Sequence, residues 1–119
     1  MAVARAEALV GAARSYAFEV VGDFWATLIG GERPSRRQRA ALAGCYVHTA
    51  RACREAVELL ADAVGTPAVF RRCALERHRR DLVTLCSHIT AQDRFLELVG
   101  GMWIRGASLD HPLAGAGMI

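Results

Sequence analysis

The sequence predicts an all-α fold, an up-and-down helical bundle, on three observations. Residues 2 to 29 contain no proline, and the stretch up to Val64 carries one sustained apolar face at helical spacing. Gly30-Gly31 and Gly65-Thr66-Pro67 interrupt the pattern where helices should stop. Neither strand alternation nor an internal repeat competes with this reading.

The first helix is expected over residues 2 to 29. Arg5, Ser15, Glu19 and Asp23 share a narrow polar strip, while Leu9, Val10, Tyr16, Val20, Val21, Phe24, Trp25 and Leu28 fill a wider arc. A helix with so wide an apolar arc is expected to be covered on more than one side. Gly30 and Gly31 end it, and Pro34 lies just outside the next helix. Ser35 and Gln38 have the spacing of a capping box.

In the second helix, Leu42, Cys45, Tyr46, Thr49, Cys53, Ala56, Leu60 and Val64 align on one face. His48, Arg51, Arg54, Glu55, Glu58 and Asp62 lie opposite, where Arg51–Glu55 and Arg54–Glu58 can pair one turn apart and His48 is expected in solvent. Pro67 prevents continuation, since it offers no N–H to a helical ladder. After a short connector a third helix is expected from about residue 74 to 90, with Leu75, Leu82, Leu85, Cys86 and Ile89 as its apolar face. A fourth follows from about 92 to 104. The expected architecture is therefore three long helices and a short terminal one. Residues 1–106 form the bundle domain, and 107–119, rich in small residues, form a flexible tail.

A chain of 119 residues makes one domain with its own core. The hydrophobic fraction of 53%, with a mean hydropathy of +0.19, excludes a disordered chain and leaves much apolar surface to be covered, internally or by a partner. All fifteen basic residues are arginine, but a net charge of +3 is too modest for a dedicated nucleic-acid binder, so no nucleic-acid partner is expected. Glu7 interrupts any signal-peptide core, and no apolar run approaches the roughly 18 residues of a membrane span. Cys45, Cys53, Cys73 and Cys86 form no C-x-x-C pair. Reduced thiols in a cytoplasmic protein, without a membrane association, are the expectation.

The chemistry-bearing stretch is LERHRRDLVTLCSH, residues 75 to 88. On a continuous helix Arg77, Asp81, Thr84 and His88 would follow one line beside the apolar arc, which suggests partial burial against another element. Asp81 can hold the Arg77 guanidinium one turn away, and a solvated helix edge would look the same. Metal binding is weakly supported: His78 and His88 do not share a face, and H-E-x-x-H is absent. Cys86 sits on the apolar face with no base beside it, and no glycine-rich phosphate loop follows a strand.

The segment REAVELLADAVGTPAVFRRCALERHRRDLVTLCSHI resembles the C-terminal helical domain of acyl-CoA dehydrogenase-like flavoproteins, more closely the branch of flavin-dependent monooxygenases. That branch typically has a helix ending in an alanine- and glycine-rich turn, then a short segment, then an L-x-R-x-x-R-D helix with a histidine seven residues past the aspartate. Val64-Gly65, the 66–73 segment, Leu75, Arg77, Arg80, Asp81 and His88 stand at those places. The likeness runs from about residue 5 to 106, and RAEALVGAARSYAFEVVGDFW is similar to the second helix of the family domain.

The resemblance implies a truncated version of that domain, lacking the family's first C-terminal helix, its β-domain and its N-terminal helical domain. It implies FMN or FAD in the full-length context and no bound cofactor in the isolated chain. His88 would be the catalytic proton donor near the flavin, where an imidazole with its pKa near the working pH is suited. Arg77 and Arg80 would brace the bundle or approach flavin phosphate across an interface, and Asp81 would orient Arg77, so that its loss lowers stability. Some family dehydrogenases carry a catalytic glutamate at the end of this helix, and none stands around Ser87-His88-Ile89, which favours the oxygen-using branch. The expected role is bundle packing and homo-oligomer assembly, with the missing portions of the parent as further partners and no activity alone. An acyl-CoA dehydrogenase fragment, or a non-enzymatic helical scaffold or nucleic-acid-binding module, stays open as the alternative.

Overall fold

The structure, a computed structural model, describes residues 1–105. Helix α1 (Ala2–Ile29) leads to α2 (Arg36–Val64), a 3-10 turn at Thr66–Val69, α3 (Ala74–Ser87), a second 3-10 turn at Ile89–Ala91, and α4 (Asp93–Arg105). No strand occurs among the described residues, and the fold is all-α. The third helix is shorter than the spacing suggests, so two long helices are followed by two short ones rather than three by one. The tail expected over 107–119 lies outside the described residues.

The break after α1 depends on Gly31, whose φ of 77° is readily adopted only without a Cβ. There Glu32 N–H reaches back to the Thr27 carbonyl at 3.1 Å and closes the helix end. The expected capping box is present at α2: Gln38 N–H donates to Ser35 Oγ at 3.1 Å, and Ser35 N–H donates to Gln38 Oε1 at 2.8 Å. Gln38 Nε2 also donates to Asp23 Oδ2 at 2.9 Å and Thr27 Oγ1 at 2.7 Å, so the cap that starts α2 also fastens α1.

α2 is the spine. α1 runs antiparallel along it, tied at one end by Gln38 and at the other by Arg5–Glu55 at 3.2 Å. α3 and α4 follow its other flank in one direction, as Arg79–Glu58, Cys86–Ala50, Arg51–Asp93 and the Val99–Gly44 contact record. The third rod is thus a single antiparallel rod broken at residues 88–92. The backbones of α1 and α3 nowhere pack on each other.

The packing surfaces are built from small residues. α1 buries Ala6, Ala13 and Val20, spaced at sevens, and α2 buries Ala40, Ala43, Gly44, Ala50, Ala52, Ala56 and Ala61. Short side chains let helix axes approach at the near end of the usual range. The one aromatic anchor is Phe95, 1% exposed, which packs with Ala43, Val47 and Val99.

These surfaces differ from those expected in α2. Of the aligned apolar face only Cys45 and Ala56 are buried; Leu42, Thr49, Cys53 and Leu60 are half-buried, and Tyr46 and Val64 are exposed. α2 needs both flanks for its neighbours, and the alanine faces on either side of that stripe serve them. α1, expected to be covered on several sides, is covered on one. Val10, Tyr16, Val21, Trp25 and Leu28 remain exposed. The pairs expected along α2 instead join separate helices, through Arg51–Asp93 at 2.6 Å, Arg5–Glu55 and Arg79–Glu58 at 2.7 Å. His48 is exposed as expected, with its ring edge-on to Tyr16 at 5.7 Å.

Candidate functional site

α3 forms because Leu75, Leu82 and Cys86 share a face that rests against α2, while its charged residues satisfy one another along the outside. Arg77 Nε lies 3.8 Å from Asp81 Oδ2, and Arg80 Nη1 lies 3.8 Å from Glu76 Oε1. Both are one-turn pairs, and the Arg77–Asp81 side chains are 76% and 61% exposed. Thr84 Oγ1 donates to the Arg80 carbonyl at 3.2 Å. Arg77, Asp81 and Thr84 are therefore in line, as expected, but exposed rather than partly buried against another element.

His88 leaves that line. α3 stops at Ser87, and His88 has extended backbone angles, φ −67° and ψ 142°. Ser87 Oγ donates to the Val83 carbonyl at 2.8 Å, and Gln92 Nε2 donates to the Ser87 carbonyl at 3.0 Å. These side chains help satisfy the carbonyls that a helix end leaves open. The Thr90 N–H approaches His88 Nδ1 at 3.4 Å, with Thr90 Oγ1 at 2.8 Å from the same nitrogen. Both contacts engage Nδ1 and leave Nε2 without a partner among them. His88 is exposed, and the structure does not bring it to Arg77, Arg80 or Asp81.

A groove of about 650 Å³ lies between the first half of α1, the end of α2 and α3. Cys53, Ala56, Val57 and Leu60 line it from α2, Val3, Ala6 and Val10 from α1, and Leu82 and Leu85 from α3. Its polar residues are Glu7, His78 and Asp81. Of the residues singled out from the sequence, only Asp81 reaches this groove; Arg77, Arg80 and His88 do not line it. His78 and Glu7 were not anticipated. The Leu75–His78–Leu82 spacing, three and then four residues, is the signal that places His78 on the inward side.

Burial pushes the Cys53 thiol above its ordinary pKa, and the nearby Cys86 adds to the rise. On the α2–α3 seam, the hydrogen bond that Arg79 Nε donates to Glu58 Oε1 at 2.9 Å and the charge of that carboxylate raise the Arg79 pKa, holding it as a fixed cation. A smaller cleft of about 290 Å³ lies toward the other end, lined by Tyr16, Glu19, Asp23, Arg37 and Trp103 among others. There the Arg37 guanidinium stacks 5.0 Å from the Trp103 ring centroid. Although the Tyr16 side chain is exposed in part, desolvation of its phenol in this cleft comes first, then Cys45 and Glu19, in raising its pKa. Among the described residues no group of three or more His, Cys, Asp or Glu could hold a metal ion. Among them, too, no helix is long and apolar enough to cross a membrane.

The sequence model described as acyl-CoA dehydrogenase, C-terminal domain, matches residues 1–93. The match takes in α1, α2 and α3 and stops at the first residue of α4. No curated protein and no solved structure matches the chain.

Proposed function

The chain belongs to the acyl-CoA dehydrogenase C-terminal domain family, and from that membership we propose that it packs and assembles an acyl-CoA dehydrogenase-like, flavin-dependent oxidoreductase of the monooxygenase type. The observation that carries the packing role is the uncovered apolar face. Val10, which lines the groove, shares by helical spacing the face of α1 that bears the exposed Val21, Trp25 and Leu28, apolar surface of the kind that soluble proteins cover with a partner. A second copy of the chain is the proposed cover, in a closed homo-oligomer.

The family is flavin-dependent, and the flavin supplies the redox chemistry when bound. The groove does not fit it. Glu7 and Asp81 stand at its rim, where carboxylates would repel a flavin phosphate, and no arginine lines it. No step through the flavin follows from this chain alone. We assign any flavin contact to the exposed outside of α3 and its C-terminal cap. There Arg77 and Arg80 would meet a phosphate, and His88 would present Nε2 to a flavin held by the rest of the parent protein. The absence of a glutamate around Ser87-His88-Ile89 supports the monooxygenase type over the dehydrogenase. A nucleic-acid role is disfavoured because the net charge of +3 is modest.

Sedimentation equilibrium of the chain tests the assembly reading. Reversible association is expected, weakened by Trp25→Glu and Val10→Glu with helicity retained. A monomer across the concentration range would overturn it. Titration with FMN and FAD, followed by flavin fluorescence, is expected to show no stoichiometric retention by the chain alone.

A further inference from the structure

The α2–α3 seam holds a feature that neither packing nor flavin chemistry uses. Cys86 Sγ on α3 donates to the Ala50 carbonyl of α2 at 3.6 Å. In a helix each carbonyl points toward the C-terminus and each Cβ tilts back toward the N-terminus, so the carbonyl of residue 50 is directed at the side-chain root of residue 53. Residue 53 is Cys53, half-buried and a lining residue of the groove. The Cys86 sulfur therefore sits against the turn of α2 that bears the Cys53 sulfur. Both thiols are free, and Cys45 and Cys73 are the other free cysteines.

We propose that Cys53 and Cys86 form a reversible dithiol–disulfide site, oxidised by hydrogen peroxide entering through the groove, that locks α3 to α2. The first step takes place at Cys53, the thiol exposed in the groove. Its thiolate attacks one peroxide oxygen, the O–O bond breaks, and the departing hydroxide takes up a proton as water. The resulting sulfenic acid is then attacked by the Cys86 thiolate. The S–S bond forms as the S–O bond breaks, and a second water leaves. One hydrogen peroxide, a two-electron oxidant, is consumed for each disulfide, and an external thiol restores the pair.

Both thiols stand on the α2–α3 seam, Cys86 through its bond to the Ala50 carbonyl and Cys53 through its electrostatic contact with Cys86, and a bridge requires their Cα atoms to come within about 7 Å. Arg79–Glu58 fixes the seam one turn or more away at 2.7 Å. Because burial and Cys86 raise the Cys53 pKa, little thiolate is present near neutral pH, and the site should respond slowly, to sustained peroxide. Its consequence is mechanical. α3 has no buried residue, and a covalent tie to α2 would stop it from swinging away and would fix the width of the groove.

Cys53 lies in the groove that assembly would cover, so peroxide reaches it in the unassembled chain, and the test is run at dilution and without flavin. The full chain is treated with hydrogen peroxide, free thiols are blocked with iodoacetamide, and the digest is mapped without reductant. A linked pair of peptides carrying Cys53 and Cys86 is expected, formed within one chain and lost on adding dithiothreitol. Its formation should quicken as pH rises, and the melting temperature should climb by roughly 5 to 15 °C. Cys53→Ser and Cys86→Ser should each abolish the linked peptide and the shift, while Cys73→Ser should retain both. Cys53 and Cys86 recovered as separate alkylated or sulfonic-acid peptides, or linked only between chains, would overturn the proposal. So would a linked peptide that leaves the melting temperature unchanged. The wild-type peptide map decides the matter even where a serine variant folds poorly.

Discussion

Gln38 holds Asp23 across the α1–α2 turn, its Nε2 donating to Oδ2 at 2.9 Å while its Oε1 accepts from Ser35 N–H. One side chain thus performs a local task, starting α2, and a tertiary one, fixing α1. Gln38→Ala should therefore cost more than Ser35→Ala, which removes only the cap hydroxyl. We expect about 1 kcal/mol for Ser35→Ala and about 2 kcal/mol for Gln38→Ala, read from urea unfolding. Equal losses would mean that the contact with Asp23 contributes nothing.

Phe95 is the large side chain at the α2–α4 contact and is 1% exposed. Phe95→Ala should destabilise the chain by about 3 to 5 kcal/mol, because Ala43, Val47 and Val99 around it cannot close the cavity. Exposed Phe18, at 68%, is the internal comparison, and Phe18→Ala should change unfolding by less than about 0.5 kcal/mol in a monomer.

Gly44 faces α4, and a Cβ built there would stand 3.5 Å from Val99 Cγ1, an ordinary contact. Gly44→Ala should raise stability by about 0.5 to 1 kcal/mol through helix propensity. Gly44→Leu should lower it, since the longer side chain would drive Val99 aside. Loss of stability in the alanine variant would show that α2 and α4 approach more closely than this.

Tyr16 titrates higher in the folded chain than in the unfolded one, chiefly through burial. For an acid with a raised folded pKa, stability is fully present below the unfolded pKa, near 10, and falls as pH rises through the folded value. Unfolding free energy should decline in that alkaline range, and Tyr16→Phe should flatten the decline. A tyrosinate absorbance titration of the Tyr46→Phe variant isolates the Tyr16 phenol. An unfolded-like midpoint there would contradict the assignment.

Asp81 was expected to matter for stability because it braces Arg77, but the pair is exposed and 3.8 Å long. Asp81→Ala should change stability by less than about 0.5 kcal/mol, as exposed pairs usually do. In the flavin-dependent parent proposed above, by contrast, His88→Ala should lower oxygen transfer by about 10²- to 10⁴-fold if His88 donates the proton. Unchanged product yield and unchanged peroxide release would remove His88 from the chemistry.

How much of this was legible depends on how local the cause is. The α2 start could be read because Ser35 and Gln38 satisfy each other within one turn, and the α1 end because glycine marks it. The end of α3 was read late, near residue 90 rather than at Ser87. No glycine or proline stands at 88–92, and the break is made by side-chain bonds from Ser87, Thr90 and Gln92. That break is why His88 leaves the Arg77–Asp81 line. Faces were harder still. The leucine- and cysteine-bearing stripe of α2 looks like the core, yet alanine surfaces do the packing, because two neighbours require two flanks. Ion pairs matched by spacing along α2 instead found partners on other helices, a choice made by tertiary placement.

The rods meet only through α2, and α3 contributes no buried residue. Amide hydrogen exchange should therefore resolve the chain into layers of protection rather than one. The middle of α2, around Val47, should exchange only on global unfolding. α3 should exchange through a cheaper opening in which it lifts from the spine while α1 and α4 stay in place. The surface bearing Arg77, Asp81 and the groove wall is then the part of the molecule that samples other arrangements most often. A docking neighbour would meet a wall that is ordered on contact, and part of its binding energy would be spent on that ordering.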